Sequence, residues 1–151
     1  MSATSYHRWH SPIDGTIKYI EQIPGSYYSQ TYDIQDDCAS PNMSQGYISH
    51  VAARALVIIE AKNKDIGYLG FLSIGMSEVS SNDVTVELGA EIKRGDSLGM
   101  FHFGGSTHCL LFNKDLNVKF FLKEEPGLDA RNIQLRKKLA TVSVKKLKRR
   151  L

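Results

Sequence analysis

A Gly-Gly-Ser sequence interrupts an aromatic run in the C-terminal half of the chain and supplies one nucleophile. Gly104, Gly105 and Ser106 follow Phe103 in the run FHFGGSTHCLLF. Because Gly105 has no side chain, the Ser106 hydroxyl can reach the carbonyl of its own preceding peptide bond where the backbone is strained and a base is near. Two glycines are also typical of a turn, a bulge or a close approach to the backbone. From spacing alone, an ordinary turn is favoured.

Two histidines near the N-terminus are the candidates for that base. Histidine is the usual partner of a weak serine nucleophile, since its pKa lies near 6.5. In an extended segment, His10 shares one face with Tyr6 and Arg8, whereas His7 lies on the other face. This separation argues against a two-histidine metal clamp, and no metal site is predicted. By residue type alone, both are more typical of strand histidines bonded to backbone carbonyls.

The cysteines and the apolar segments indicate a reducing, cytoplasmic compartment. Cys38 and Cys109 lie far apart in the sequence and have no clustered Cys or His neighbours, so neither a disulfide framework nor a structural zinc site is supported. The N-terminus has no apolar signal segment. The apolar run over residues 52–59 contains Arg54 and is far shorter than the roughly 20 residues that cross a bilayer.

The elements that must position these residues are predicted to be mainly β-strands. Short β-branched runs recur between turn signals, and few stretches before residue 127 have a helical period. A long surface loop is expected over residues 25–49. The predicted strands cover residues 15–22, 55–61, 68–75, 84–88, 98–103, 107–112 and 118–123.

The charge distribution divides the chain into an acidic body and a basic tail. The 151 residues carry a formal charge of +3, but residues 131–151 contain nine basic and no acidic residues, which leaves −6 on residues 1–130. This excludes a generally basic nucleic-acid-binding domain. The tail is predicted to be an amphipathic helix, either packed on the body or attracted to an anionic membrane surface. Its apolar face consists of Leu135, Leu139, Val142, Leu147 and Leu151.

Three motifs, taken in order, resemble the catalytic portion of the phosphatidylserine decarboxylase family. They are YHRWHSPIDGTI from residue 6, GMSEVSS from residue 75 and KRGDSLGMFHFGGSTHCLLF from residue 93. Together with IEAKNKDIG from residue 59, their amino-acid sequences are most similar to the soluble fungal branch that includes tryptophan decarboxylases. The resemblance implies an antiparallel β-sandwich or barrel-like core over residues 1–126. A basic C-terminal helix or tail over residues 127–151 is expected to follow.

The resemblance implies a proenzyme that makes its own pyruvoyl cofactor. Ser106 would attack the carbonyl of Gly105, and elimination would split the chain into a β chain that ends at Gly105 and an α chain that begins with the pyruvoyl group. The family pattern assigns the general base to His10 and the substrate site to His7. The pyruvoyl group would then form a Schiff base with a substrate amine and accept the electrons released as CO2 leaves.

The implied activity is that of a carboxy-lyase acting on an amine-bearing substrate. The resemblance leaves two substrates open, phosphatidylserine and an aromatic amino acid such as tryptophan. The two chains of the processed precursor would be partners of each other, with no nucleic acid involved. A homodimer and a peripheral membrane contact through the basic tail also stay open.

Two alternatives to a self-processing decarboxylase stay open, and the first follows from a departure from the family pattern. The family's self-cleavage triad also uses an aspartate N-terminal to the YHRxH motif, and no residue here matches it; Asp14 and Asp96 lie in other motifs. The first alternative is therefore a truncated, unprocessed and non-catalytic remnant. The second is a lipoyl- or biotinyl-like carrier, suggested by SPIDGTI and KRGDSLG, but no lysine matches the modified hairpin tip. His102 and His108 are predicted to be structural.

Overall fold

The computed structural model describes residues 6–27, 29, 44–76, 81–102, 106–121 and 133–144. Within these ranges the chain is mainly β, as predicted, and every named strand pairs antiparallel with its neighbours. The elements are β1 (Arg8–His10), β2 (Gly15–Ile23), α1 (Gln45–Val51), β3 (Arg54–Ala61), β4 (Tyr68–Gly75), β5 (Ser81–Val84), β6 (Glu91–Ile92), β7 (Ser97–His102), β8 (Ser106–Phe112), β9 (Leu116–Phe120) and β10 (Ala140–Val144).

A five-stranded sheet in the order β6-β2-β3-β4-β8 forms the larger wall of the fold. Its central strand β3 alternates strictly, with Ala55, Val57, Ile59 and Ala61 buried on one face and half-buried residues on the other. This period of two is what a strand with one core face requires.

A second sheet in the order β1-β7-β5 packs against the core face of the first. The indole of Trp9 lies across Gly99 of β7, where a Cβ atom would overlap indole carbons. It also contacts Phe101 edge-on at 4.9 Å between ring centroids. The buried cluster shared by the two sheets comprises Trp9, Ile17, Val57, Ile59, Phe71, Ile92, Leu98 and Phe101.

The helix α1 covers one end of the opposite face of the larger sheet. Ile48 and Ala52 pack there against Ile74 and Met76. The prediction of a surface loop over residues 25–49 is therefore wrong for residues 45–49. The local sequence QGYISHV has little helical preference, and packing around Ile48 stabilises this short helix instead. Residue 28 and residues 30–43 of the expected loop lie outside the described residues.

The basic C-terminal helix is not found where the structure describes that segment. Residues 140–144 form β10, which pairs with β9 in a register that sets Val142 opposite Val118. The β-branched residues in this segment favour a pleated strand over a helix. Residues 122–132 and 145–151 lie outside the described residues, so the prediction is tested only over 133–144.

Six of the seven predicted strands are confirmed to within a few residues where the structure describes them. The prediction for 84–88 holds only for Val84, the last residue of β5, and is wrong for 85–88. Residues 85–90 instead connect the two sheets. The Thr85 amide donates to the Leu98 carbonyl at one end of this connection, and the Gly89 amide donates to the Ile17 carbonyl at the other. Gly89 has a φ of +84°, which glycine tolerates best. No helix in the described ranges is long and apolar enough to span a bilayer.

Candidate active site

Ser106 is the first residue of β8 and is 1% exposed. It lies opposite Gly75, the last residue of β4. The Gly75 amide donates to the Ala53 carbonyl at 2.9 Å, and the Asn82 side-chain amide of β5 donates to the same carbonyl at 3.0 Å. Ser106 therefore lies where the two sheets approach each other. Gly105, and with it the predicted cleavage bond, lies outside the described residues.

Alternate residues of β8 share the core face with Ser106. His108 lies opposite Ser73, and Leu110 lies opposite Phe71, which belongs to the buried cluster. Residues directly opposite in an antiparallel pair project from the same face of the sheet. Ser106 and His108 are therefore on the face that packs against β1 and β7.

The His108 ring stacks on Phe71 with 5.1 Å between ring centroids and an interplanar angle of 17°. Burial of the ring lowers the pKa of His108 below its ordinary value of 6.5, because desolvation disfavours the charged imidazolium. The residue nevertheless exposes more than a third of its surface. The lowered pKa favours the neutral imidazole, and one ring face is covered by Phe71.

His7 lies at the end of β7 that leads towards Ser106. Its carbonyl accepts the Phe101 amide at 3.0 Å. The Nε2 atom of His7 is buried and has no hydrogen-bond partner among the described residues, and the same holds for Nε1 of Trp9 two residues later. Buried polar atoms are normally paired, so these two orphans on one face of β1 call for a partner such as an ordered water or a ligand.

His10 lies at the other end of β7, opposite Ser97 and beyond a β-bulge. Its Nδ1 atom is 2.8 Å from the Gly95 carbonyl oxygen, and its Nε2 atom is 2.7 Å from the Tyr6 hydroxyl. Since β7 spans six residues, its two ends are about 17 Å apart. The register places His7, rather than His10, at the Ser106 end of β7. The roles predicted for the two histidines stay predictions.

Asp14 and Asp96 hold the KRGD turn together. The Asp14 carboxylate accepts the Arg94 amide at 2.7 Å, and the Asp96 carboxylate accepts the Lys93 amide at 2.8 Å. Gly95 between them has a φ of +93°. These bonds support the assignment of both aspartates to turn positions. A cleft of about 380 Å³ opens beside this turn, at the end of the larger sheet away from Ser106.

His102, which precedes the Gly-Gly-Ser sequence, forms an exposed pair with Asp83 of β5 at 3.2 Å. The pair bridges two strands of the smaller sheet, which suits the structural role predicted for His102. Among the described residues no group of three or more histidine, cysteine, aspartate or glutamate side chains could hold a metal ion.

The family model described as phosphatidylserine decarboxylase matches residues 1–134. The chain belongs to the phosphatidylserine decarboxylase family. It is 44% identical over 136 residues to the L-tryptophan decarboxylase of Psilocybe cyanescens, a match that covers 84% of this chain and 31% of that protein. It is 31% identical over 116 residues to phosphatidylserine decarboxylase proenzyme 3 of Schizosaccharomyces pombe, with 77% of this chain and 11% of that protein covered.

The predicted resemblance to the family and the predicted similarity to its fungal tryptophan decarboxylase branch are both confirmed. A decarboxylase of Amanita muscaria is also 44% identical, over 131 residues, with 80% of this chain and 37% of that protein covered. The chain thus spans about a third of the length of these fungal relatives. The match includes the three motifs that carried the resemblance. The structure adds Phe71, on which His108 of the third motif stacks.

Proposed function

We propose that this chain is the serine-bearing part of a pyruvoyl-dependent decarboxylase that acts on an aromatic amino acid. Self-cleavage between Gly105 and Ser106 would supply the cofactor. The observation that carries the proposal is the burial of Ser106 at the start of β8, in a chain of this family, directly after a glycine pair. A serine at 1% exposure is shielded from bulk water, which would otherwise compete with it as a nucleophile.

Self-cleavage needs one nucleophile and one base from this chain. The Ser106 oxygen attacks the Gly105 carbonyl, the peptide C–N bond breaks, and an ester replaces the amide. Elimination then releases the Gly105 carboxylate, and hydrolysis of the new N-terminal residue releases ammonia and leaves the pyruvoyl group. We assign the proton transfer from Ser106 to His10, as the family pattern implies. This assignment requires His10 to come within hydrogen-bond reach of Ser106, because β7 separates the two by about 17 Å in this structure.

The hydrogen bond to Gly95 supports a basic Nε2 atom in His10. A carbonyl oxygen can only accept, so Nδ1 carries the proton of the neutral ring and Nε2 holds the lone pair. That lone pair accepts the Tyr6 hydroxyl in this structure. His10 can therefore act as the base in two ways. Either Tyr6 first turns away from Nε2, or the Tyr6 hydroxyl relays the proton to it.

The residues around Ser106 fit a pyruvoyl group at that position. Two orphaned polar atoms, His7 Nε2 and Trp9 Nε1, belong to the sheet that packs against the core face of the Ser106 sheet. When formed, the group supplies the electron sink for loss of CO2. His7, whose orphaned Nε2 atom lies nearer the Ser106 end of β7, is assigned to the substrate site, where it holds or returns a proton.

An aromatic amino acid is favoured over phosphatidylserine as the substrate. The relatives named as tryptophan decarboxylases are 42–44% identical to this chain, whereas those named as phosphatidylserine decarboxylases are 29–32% identical. The second candidate, phosphatidylserine, rests on the family model.

A trapping experiment tests the proposal. The purified protein is incubated with L-tryptophan or with phosphatidylserine, a borohydride reductant is added, and the products are identified by mass spectrometry. We expect tryptamine to form and the substrate amine to be trapped on the fragment that begins at position 106. Trapping of phosphatidylserine alone would move the assignment to the lipid. No product and no adduct from either substrate would favour the non-catalytic remnant.

A further inference from the structure

His108 and Phe71 form a two-ring stack beside Ser106. Phe71 is 2% exposed and is fixed in the buried cluster, where its ring centroid lies 5.8 Å from that of Trp9. The His108 ring rests on this fixed partner, yet the residue stays more than one third exposed. One side of the imidazole is therefore held by the core, and Phe71 is the only ring stacked on it among the described residues.

The residues of β4 opposite Ser106 and His108 are small. Ser106 faces Gly75, which has no side chain, and His108 faces Ser73, whose small side chain is buried and donates to the Ala55 carbonyl at 3.3 Å. The next residue on this face of β4 is Phe71. The row opposite β8 thus begins with two small residues and ends at the stack.

The spacing along β8 fits an aromatic amino acid joined at position 106. Two residues along a strand span about 7 Å. A substrate whose α-nitrogen is bonded at position 106 therefore has a side chain long enough to reach the His108 ring along this row. Offset stacking of aromatic rings is favourable, and a neutral imidazole stacks without the cost of burying a charge.

We propose that His108, backed by Phe71, binds the aromatic ring of the substrate and so determines specificity for aromatic over aliphatic amines. The inference rests on the proposed function, because it places the substrate nitrogen at position 106. It gives His108 a binding role rather than the structural one that the sequence predicts. No proton transfer or covalent step is assigned to this residue.

The test compares His108→Val and His108→Phe with the unchanged chain. We expect His108→Val to raise KM for L-tryptophan about threefold to tenfold with a smaller effect on kcat, as loss of one aromatic pair predicts. His108→Phe keeps a ring on Phe71 and should restore KM. Neither variant should change KM for L-leucine by more than about twofold, within the spread of a neutral substitution. Cys109→Val, on the opposite face of β8, is the matched control and should leave both constants unchanged.

A binding measurement separates this inference from the proposed function. Tryptamine is titrated calorimetrically into the Ser106→Ala chain, which cannot be cleaved, with and without His108→Val. We expect binding that the second substitution weakens and that His108→Phe restores, whether or not the parent chain is catalytic. Equal tryptamine affinity with valine and with histidine at position 108, no tryptamine binding at all, or an equal rise in KM for tryptophan and leucine, would overturn the assignment.

Discussion

The Nδ1 atom of His10 lies 2.8 Å from the carbonyl oxygen of Gly95, in the turn whose backbone is held by Asp14 and Asp96. This bond fixes the tautomer of the predicted base and leaves the Nε2 lone pair to accept the Tyr6 hydroxyl. In the triad of serine hydrolases a carboxylate fixes the tautomer of the histidine. Here the structure shows a backbone carbonyl in the corresponding position.

Substitution of Tyr6 and His10 should separate hydrogen bonding from base catalysis. Tyr6→Phe keeps the ring that stacks on His10 but removes the hydroxyl, so we expect self-cleavage to persist. His10→Gln removes the base and should slow cleavage by about 10²- to 10⁴-fold. The rates are measured by intact mass against time. Loss of cleavage in Tyr6→Phe as well would show that the hydroxyl relays the proton, and normal cleavage in His10→Gln would exclude His10 as the base.

Glycine at position 99 should be required for the packing of Trp9 between the sheets. A Cβ atom there would overlap both the indole and the Asp83 carbonyl. We expect Gly99→Ala to lower the free energy of unfolding by about 1–3 kcal/mol, as overpacking does. Gly46→Ala is the control, since nothing lies within 4 Å of a Cβ atom at that helical position. It should be neutral or stabilising by up to about 1 kcal/mol. Denaturant titration that ranks the two variants equally would contradict this account.

Protonation of His108 should contribute to the pH dependence of the free energy of unfolding. Its pKa in the folded chain is below the unfolded value of 6.5, because burial disfavours the charged ring. Between the two pKa values the unfolded chain binds more protons, so stability falls as the pH drops from above 6.5 towards the folded pKa. His108→Gln should reduce this slope. Thermal unfolding at a series of pH values from 7.5 down to 5 measures it, and an unchanged slope would show that His108 does not contribute to it.

The sequence predicts the body of the fold better than the tail, for a physical reason that Val142 illustrates. In β3 a short apolar run rich in β-branched residues favours a strand. In the tail, leucines at helical spacing coexist with a β-branched segment, and tertiary pairing with β9 decides in favour of the strand at 140–144. Likewise, the motifs identify Ser106 and the N-terminal histidines, but no local signal shows that His108 stacks on Phe71, because β4 and β8 are distant in sequence.

Substitution of Val142 tests the strand directly. Alanine is a better helix former than valine but a poorer strand former. We therefore expect Val142→Ala to destabilise the chain by about 0.5–1 kcal/mol, the size of a β-propensity change at a half-buried position. Denaturant unfolding provides the value. A stabilising effect would favour the helix that the leucine spacing predicts.

Intact mass of the purified full chain tests the central claim most directly. We expect two fragments that divide between Gly105 and Ser106, with a carbonyl-reactive group at the start of the second. Ser106→Ala should give one uncleaved chain. A single intact mass for the unchanged protein, identical in behaviour to Ser106→Ala, would contradict the assignment of this chain as a self-processing decarboxylase.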